Sequence, residues 1–374
     1  MNHPVNRFFS IHQTAALLVP FLVPVLCLGA DTTAGGPDGK ASDSPRAVGK
    51  RLVENFLARD YWYMGAHGLA YPEACTALGV LDYAKITGNE KLIQKIADRY
   101  RRFLTGEDKK ILPRHLHVDI SVSGALLLRI YRYTGEKEFL KMGIEDFADK
   151  EWEKTGKDGL TSIARWWIDD MYMLTILQAE AFRATGDKKF ADRAARLMAR
   201  YIEKLQQPDG LFHHADNVPI RWGRGNGWTA AGMAEALDVV PADHPDRKII
   251  LDGYRRMMKT LVSCQGKSGL WKQVLDHPEF WDETSGSAMF AFAMARGVRK
   301  GWFGEEGAPY QKAVEKAWRG LVVQLDENAN LEHVCVGTNK KNSIDYYMQR
   351  PQTTGDLHGQ APMLWLADEL MRKK

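Results

Sequence analysis

The stretch ATGDKKF (184–190) repeats a hinge met twice upstream, as YTGEKEF (133–139) and ITGNEKL (86–92). In each, Thr-Gly closes a run of helical period, and charged residues then lead into a fresh run. A Gly just past such a run is a helix C-cap, because it enters the left-handed conformation without steric cost. Thr87, Thr134 and Thr185 recur at about fifty-residue spacing, the length of a helix pair. The hinge predicts a chain of helical hairpins.

The periodicity predicts twelve helices, over 45–58, 71–86, 91–104, 118–133, 137–152, 165–184, 188–206, 226–240, 246–265, 284–301, 308–325 and 356–372. A second series, KDGLTS, PDGLFHH, KSGLWKQ and NANLEHV, marks the longer loops. Chemically unusual clusters open the even-numbered helices: YPEAC (71–75), HVDIS (117–121), RWWIDD (165–170), RGNGW (224–228), ETSGSAM (283–289) and DLHGQAP (356–362). The odd-numbered helices start with ordinary charged residues. An all-α double ring of six hairpins, even helices inside, gathers the inner N-termini at one mouth. Amide donors and positive dipole ends converge there, a seat for a carboxylate-bearing ligand. A linear solenoid has no reason to place Trp, Asp, His and Arg at alternate helix starts.

The chain has 374 residues, 45% of them hydrophobic and 26% charged, enough for a substantial core. Residues 1–30 carry one Arg and the apolar run TAALLVPFLVPVLCLGA, short for a membrane span and interrupted by two prolines. They are expected to be a signal peptide, with 31–44 a flexible leader and 45–374 a single catalytic domain. The mature chain is then exported, periplasmic or extracellular, with no membrane anchor. Removing residues 1–30 lowers the formal charge from +4 to +3 and leaves Cys75, Cys264 and Cys335. Three scattered thiols give no disulfide framework, and no metal motif occurs. No basic tract suggests nucleic acid. Oligomeric state is not legible.

Asp119 follows His115 and His117; it suits an N-cap of the fourth helix or a catalytic carboxylate. Asp169 and Asp170 point about a hundred degrees apart if helical, so they are expected to differ in task. Asp169 shares a face with Arg165 and Tyr172. Gly225-x-Gly227-x-x-Ala230 matches a dinucleotide fingerprint only nominally, since no strand-helix-strand pattern surrounds it. Arg224 and Trp228, four apart, pair a charge clamp with a stacking ring. Three functions are open on these residues: a glycosidase with Asp119 and Asp169 across the bond, a sugar epimerase using His213, His214 and His358, and a noncatalytic carbohydrate-binding protein.

The stretches WIDDMYM (167–173), GLFHHADNVPIRWGRGNGW (210–228), GLWKQVLDHPEFWDETSGSAMFAFA (269–293), VCVGTNKKN (334–342) and DLHGQAP together resemble glycoside hydrolase families 88 and 105, the unsaturated glucuronyl and rhamnogalacturonyl hydrolases. The resemblance implies an (α/α)6 barrel. It also implies hydration of the C4=C5 bond in a nonreducing-end unsaturated uronate, without cofactor or metal. By motif it implies Asp169 as general acid/base, Asp119 as the second carboxylate, and His214, Arg224 and Trp228 as substrate-binding. Trp167 and Tyr172 at the sixth helix start and His358 at the twelfth complete that set. Many members have Gly or Asn where this chain has Asp170. Burial among aromatics is expected to raise the Asp169 carboxyl until it holds a proton.

Overall fold

The computed structural model describes residues 41–63, 68–105 and 117–373. The expected signal peptide, most of the leader and His115 lie outside the described residues. In chain order the helices are α1 (Pro45–Leu57), α2 (Tyr71–Thr87), α3 (Glu90–Arg101), α4 (Val118–Thr134), α5 (Lys137–Met142), α6 (Asp170–Thr185), α7 (Lys188–Leu205), α8 (Gly223–Val239), α9 (Arg247–Cys264), α10 (Thr284–Arg299), α11 (Gly307–Val322), α12 (Ile344–Met348) and α13 (Leu357–Met371). Among the described residues, four two-residue strands form two antiparallel pairs in the loops: β1 (Trp271–Lys272) with β2 (Asp282–Glu283), and β3 (Val334–Cys335) with β4 (Gln352–Thr353).

The helices α2, α4, α6, α8, α10 and α13 each pack on the next, and α13 closes on α2. The helices α1, α3, α5, α7, α9 and α11 form the outer layer, each against an inner helix. This is the expected (α/α)6 barrel. Inner helices are buried all round: α8 buries every residue but Asp238. Outer α7 buries one stripe, including Phe190, Ala194, Leu197, Tyr201 and Leu205.

The hinges repeat in detail. The hydroxyls of Thr87, Thr134 and Thr185 donate to the carbonyls of Tyr83, Ile130 and Ala181 at 2.7, 2.9 and 2.7 Å. Gly88, Gly135 and Gly186 follow at φ +69°, +79° and +71°, with open space where a Cβ would stand, so conformation alone selects Gly. The longer loops repeat too. The amides of Gly156, Gln207, Gly266 and Asp326 donate to the carbonyls of Leu160, Leu211, Leu270 and Asn330.

Two expected helices differ. The fifth is broken: a π-helical turn (Gly143–Ala148) and a 3-10 turn (Lys150–Trp152) follow α5. Gly143 presses so close to α4 that an added Cβ would sit 2.6 Å from Leu128 Cγ, and the chain rewinds there. The sixth begins at Asp170 rather than 165, so residues 165–169 form a loop.

The rewound segment places Glu151 wholly inside, where its carboxylate accepts from the Ser121 hydroxyl and, at 3.0 Å, from Gln178 Nε2. Burial pushes this carboxyl up to about 7 despite those hydrogen bonds. Its folded value exceeds its unfolded one, so its contribution is complete below the unfolded carboxylate range and is lost as pH rises through about 7. The loss amounts to about 3 kcal/mol. Glu151→Gln is therefore expected to raise the thermal midpoint above wild type near pH ~8.5, with the gap closing near pH ~5. Equal midpoints at both pH values would contradict this burial effect.

Along the barrel axis lie three layers. The C-terminal ends of the inner helices carry a ring of ion pairs. Above it Tyr172, Trp228, Trp365 and Phe292 form an aromatic plug, with Tyr172 stacked on Trp365 at 5.1 Å and tilted against Trp228 at 5.0 Å. Above the plug, the inner N-termini surround a mouth. The plug makes the barrel a bowl, not a tube.

Candidate active site

Asp170 organises the loop before α6. It is fully buried and accepts from the Arg165 backbone amide (2.7 Å), Arg165 Nε (2.9 Å) and the Tyr201 hydroxyl (2.6 Å), with Arg165 Nη2 at 2.8 Å. The Tyr201 hydroxyl also accepts from the Trp166 amide at 3.0 Å, and its ring stacks on Trp166 at 4.6 Å. These contacts hold Trp166 at φ +58°, a strained value for a bulky residue. Burial raises the Asp170 carboxyl, against the opposing pull of Arg165. Every oxygen of Asp170 is thus spoken for.

Asp169 is different. It sits at the N-cap of α6 without making a side-chain cap, and 14% of its side-chain surface stays exposed. Its Oδ2 lies 3.5 Å from His214 Nε2, and neither atom has a hydrogen-bond partner at ordinary distance among the described residues. His214 is fully buried, and its Nδ1 is 2.5 Å from the Tyr347 hydroxyl. An ionised Asp169 carboxylate only accepts, so the His214 proton sits on Nε2 facing it, and the Tyr347 hydroxyl, which accepts from the Lys341 amide at 3.4 Å, donates to Nδ1. The His214 loop is tied to the Asp169 loop by the Ile168 amide donating to the His214 carbonyl at 3.1 Å. Burial pushes the Asp169 carboxyl up, but His214, Arg165 and Arg224 outweigh it and hold it below the usual carboxylate range. The expectation that burial would keep Asp169 protonated is corrected: the His214 hydrogen bond and the nearby arginines win.

Arg224 is buried in the first turn of α8. Its Nη1 and Nη2 donate to the carbonyls of Cys335 and Val336, the latter at 2.8 Å, and its Nε has no hydrogen-bond partner among the described residues. Among the described residues no carboxylate lies within ion-pair distance of it, whereas buried Arg129 and Arg296 are paired. Asp119 does not cap α4, contrary to one of its expected roles. The cap is His117, whose Nδ1 accepts from the Asp119 amide at 3.2 Å. The Asp119 carboxylate faces the mouth, 3.5 Å from Arg165 Nη2. His358 is buried in the first turn of α13, Nε2 2.5 Å from the Tyr71 hydroxyl.

Trp167 lies at the rim, partly exposed, with Arg165 and Lys340 over its ring at 4.8 and 5.3 Å. Tyr172 and Trp228 are corrections. Both belong to the plug: Trp228 is 0% exposed and enclosed by Tyr71, Tyr172 and Trp365, so no face is free to stack on a sugar. Trp228→Ala is expected to cost about 3–5 kcal/mol of stability, as for other buried aromatic truncations. A denaturant midpoint near wild type, paired with weakened ligand binding, would restore the stacking role.

The structure thus brings Asp169, Asp119, His214, Arg224 and His358 to one mouth. Sequence reading missed Arg165, Tyr71, Asp356 and Tyr347 as members. The first three stood inside clusters already marked at helix starts. Tyr347 gave no signal, because α12 lies in a long connection and reaches His214 only through the fold. Among the described residues no three His, Cys, Asp or Glu side chains are placed to hold a metal ion.

The chain matches the sequence profile of Glycosyl Hydrolase Family 88 over residues 50–374. It is similar to the unsaturated rhamnogalacturonyl hydrolase YesR of Bacillus subtilis (strain 168), 27% identical over 345 residues spanning 87% of this chain and 94% of the relative. An unsaturated 3S-rhamnoglycuronyl hydrolase of Formosa agariphila is 31% identical over 206 residues, 50% of this chain and 53% of the relative. The solved structure of a possible GH105 family member from Salmonella enterica serovar Paratyphi A superposes with TM-score 0.76 at 22% identity, over 90% of this chain and 96% of that one. The unsaturated glucuronyl hydrolase of Bacillus sp. GL1 superposes with TM-score 0.62 at 16% identity, over 86% and 94%. At such identities these two speak for the fold alone. With the profile matching from the middle of α1 to the end of the chain, this protein belongs to Glycosyl Hydrolase Family 88 and is a glycoside hydrolase.

Proposed function

We propose that the protein removes a nonreducing-end 4,5-unsaturated uronate from lyase-generated oligosaccharides by hydrating the C4=C5 bond. Arg224 carries this reading. A buried guanidinium without a carboxylate partner among the described residues, ringed by inner-helix N-termini, suits a ligand that brings its own carboxylate. The names of the Bacillus and Formosa relatives support the same substrate class.

In this mechanism Asp169 protonates C4 and water adds at C5, returning a proton to Asp169. The hemiketal at C5 opens, and the hemiacetal left at C1 releases the next sugar with its bridging oxygen. Before substrate binds, His214, Arg165 and Arg224 favour the ionised form of Asp169. A uronate carboxylate on Arg224 cancels part of the cationic field that keeps it so, and protonation then accompanies binding. The His214 Nε2 proton steadies the ionised carboxylate between turnovers. Asp119 and Trp167 are placed to orient the sugars at the mouth. We also propose that residues 1–30 direct export, which predicts Asp31 as the first residue of the protein recovered outside the cytoplasm.

Turnover of unsaturated disaccharides in heavy-oxygen water tests the mechanism. The label is expected at C5 of the uronate fragment, with loss of its ultraviolet absorbance and an unlabelled released sugar. Label at C1 with the chromophore preserved means an ordinary glycosidase, epimerised product without release an epimerase, and binding without turnover a noncatalytic protein.

A further inference from the structure

A second polar chain reaches the mouth from α13. Asp356, the N-cap of α13, accepts the His358 amide at 2.8 Å, and the same oxygen lies 2.7 Å from His358 Nδ1. The ring's other nitrogen, Nε2, is 2.5 Å from the Tyr71 hydroxyl. Trp62 and Tyr71 meet the imidazole edge-to-face at 5.8 and 5.2 Å and fix its plane. An ionised carboxylate only accepts, so Nδ1 carries the proton. In the neutral ring Nε2 is then a bare acceptor, and Tyr71 must donate to it.

The groups facing His358 come from four elements: Asp356 from its own cap, Arg224 from α8, Glu283 from the α10 cap and Tyr71 from α2. Burial first, then Arg224, lowers the imidazole below its ordinary 6.5 against the pull of Asp356, so it stays neutral at neutral pH. Asp356 stays ionised, held at about 2 by His358 and Arg224 against its burial. Burial pushes the Tyr71 phenol up, and Asp119 and Asp169 add to this, so it keeps its proton although Arg224 opposes. Tyr71 remains partly exposed, within electrostatic reach of Arg224, Asp119 and Asp169.

We propose that Asp356, His358 and Tyr71 set the polarity of the mouth: Asp356 locks the tautomer of His358, His358 accepts the hydrogen bond of the phenol, and the Tyr71 oxygen faces the ligand as a hydrogen-bond acceptor for a sugar hydroxyl or a water. The identity of that ligand rests on the function proposed above. Tyr71 touches substrate; His358 and Asp356 are positioning residues. The expected direct substrate contact from His358 is thereby replaced by one made through Tyr71. When acid protonates His358, Nε2–H donates to Tyr71 and the phenol proton turns toward the ligand, reversing the polarity.

The test uses the full chain, nitrogen-15 labelled at histidine, with an unsaturated disaccharide as substrate. At pH ~7 the His358 shifts, identified by their loss in His358→Gln, are expected to show a protonated Nδ1 and a bare Nε2 that moves on Tyr71→Phe. Tyr71→Phe is expected to lower kcat/KM at least about tenfold. Adding His358→Gln to Tyr71→Phe should cost little more, since His358 acts through the phenol. The acidic limb of kcat/KM that follows His358 should vanish in Tyr71→Phe. Additive losses, or a bare Nδ1, overturn the proposal. Should wild type turn over no unsaturated uronide, the proposed reaction falls, and the nitrogen shifts alone decide the relay.

Discussion

Asp169→Asn is expected to lower turnover by about 10²–10⁴-fold, the range for a lost general acid/base, with little change in thermal midpoint. The reason is its sparse bonding. Among the described residues its Oδ2 has no partner at ordinary distance, so an amide of the same shape breaks no structural contact there. Asp170→Asn is expected to do the reverse. The amide offers one accepting oxygen where two serve the Arg165 amide, Arg165 Nε and the Tyr201 hydroxyl, so buried hydrogen bonds that hold the loop before α6 are lost, at a cost of about 1–3 kcal/mol. At a temperature where Asp170→Asn stays folded, it should retain most of its turnover. Measured together, kcat and midpoint separate the two carboxylates. If folded Asp170→Asn is dead and Asp169→Asn is active, the assignment within the pair is reversed.

The barrel was legible because its signals are local. A Thr whose hydroxyl back-bonds one turn, followed by a Gly forced to positive φ, is written in adjacent residues and recurs in three successive hairpins. The mouth was legible for a related reason: unusual residues stood at every second helix start. What failed was whatever depends on a partner brought from afar. Periodicity extended α6 back to 165, because nothing in RWWIDD says that Asp170 reaches back to the Arg165 amide or that Tyr201 holds Trp166 in a left-handed turn. The four-residue spacing of Arg224 and Trp228 was read as one shared functional face. In the barrel Arg224 reaches the loop after β3 while Trp228 packs into the plug. The sign of the Asp169 shift turned on His214, Arg165 and Arg224, of which only Arg165 is a sequence neighbour.

The far end of the barrel supports the other large effect. Ion pairs run through all six inner helices and close on themselves: Asp82 to Arg129 (3.3 Å), Arg129 to Glu180 (2.7 Å), Glu180 to Arg183 (2.7 Å), Arg183 to Glu235 (2.8 Å), Glu235 to Arg296 (2.6 Å), Arg296 to Glu369 (3.2 Å), Glu369 to Arg372 (3.8 Å) and Arg372 back to Asp82 (3.1 Å). The ring lines a polar cavity of about 160 Å³ in which Arg and Lys outnumber Asp and Glu. Six helix C-termini meet at this end, each contributing about half a negative charge, and the surplus of cations offsets them. Glu180 is the junction, fully buried and paired with Arg129, Arg132 and Arg183. Those arginines outweigh its burial and hold its carboxyl far below the usual range. Its folded value is depressed, so its contribution is present above the unfolded carboxylate range and is lost only as pH falls well below it. Glu180→Gln keeps the volume and removes the counter-charge of three arginines at once, so a loss of about 3–5 kcal/mol is expected at neutral pH. The plug separates this ring from the mouth, so kcat of the folded variant should stay near wild type. Urea unfolding at low and high salt checks the account: the loss should persist in high salt, because a buried network is weakly screened. A midpoint within experimental error of wild type would mean that packing alone closes the barrel.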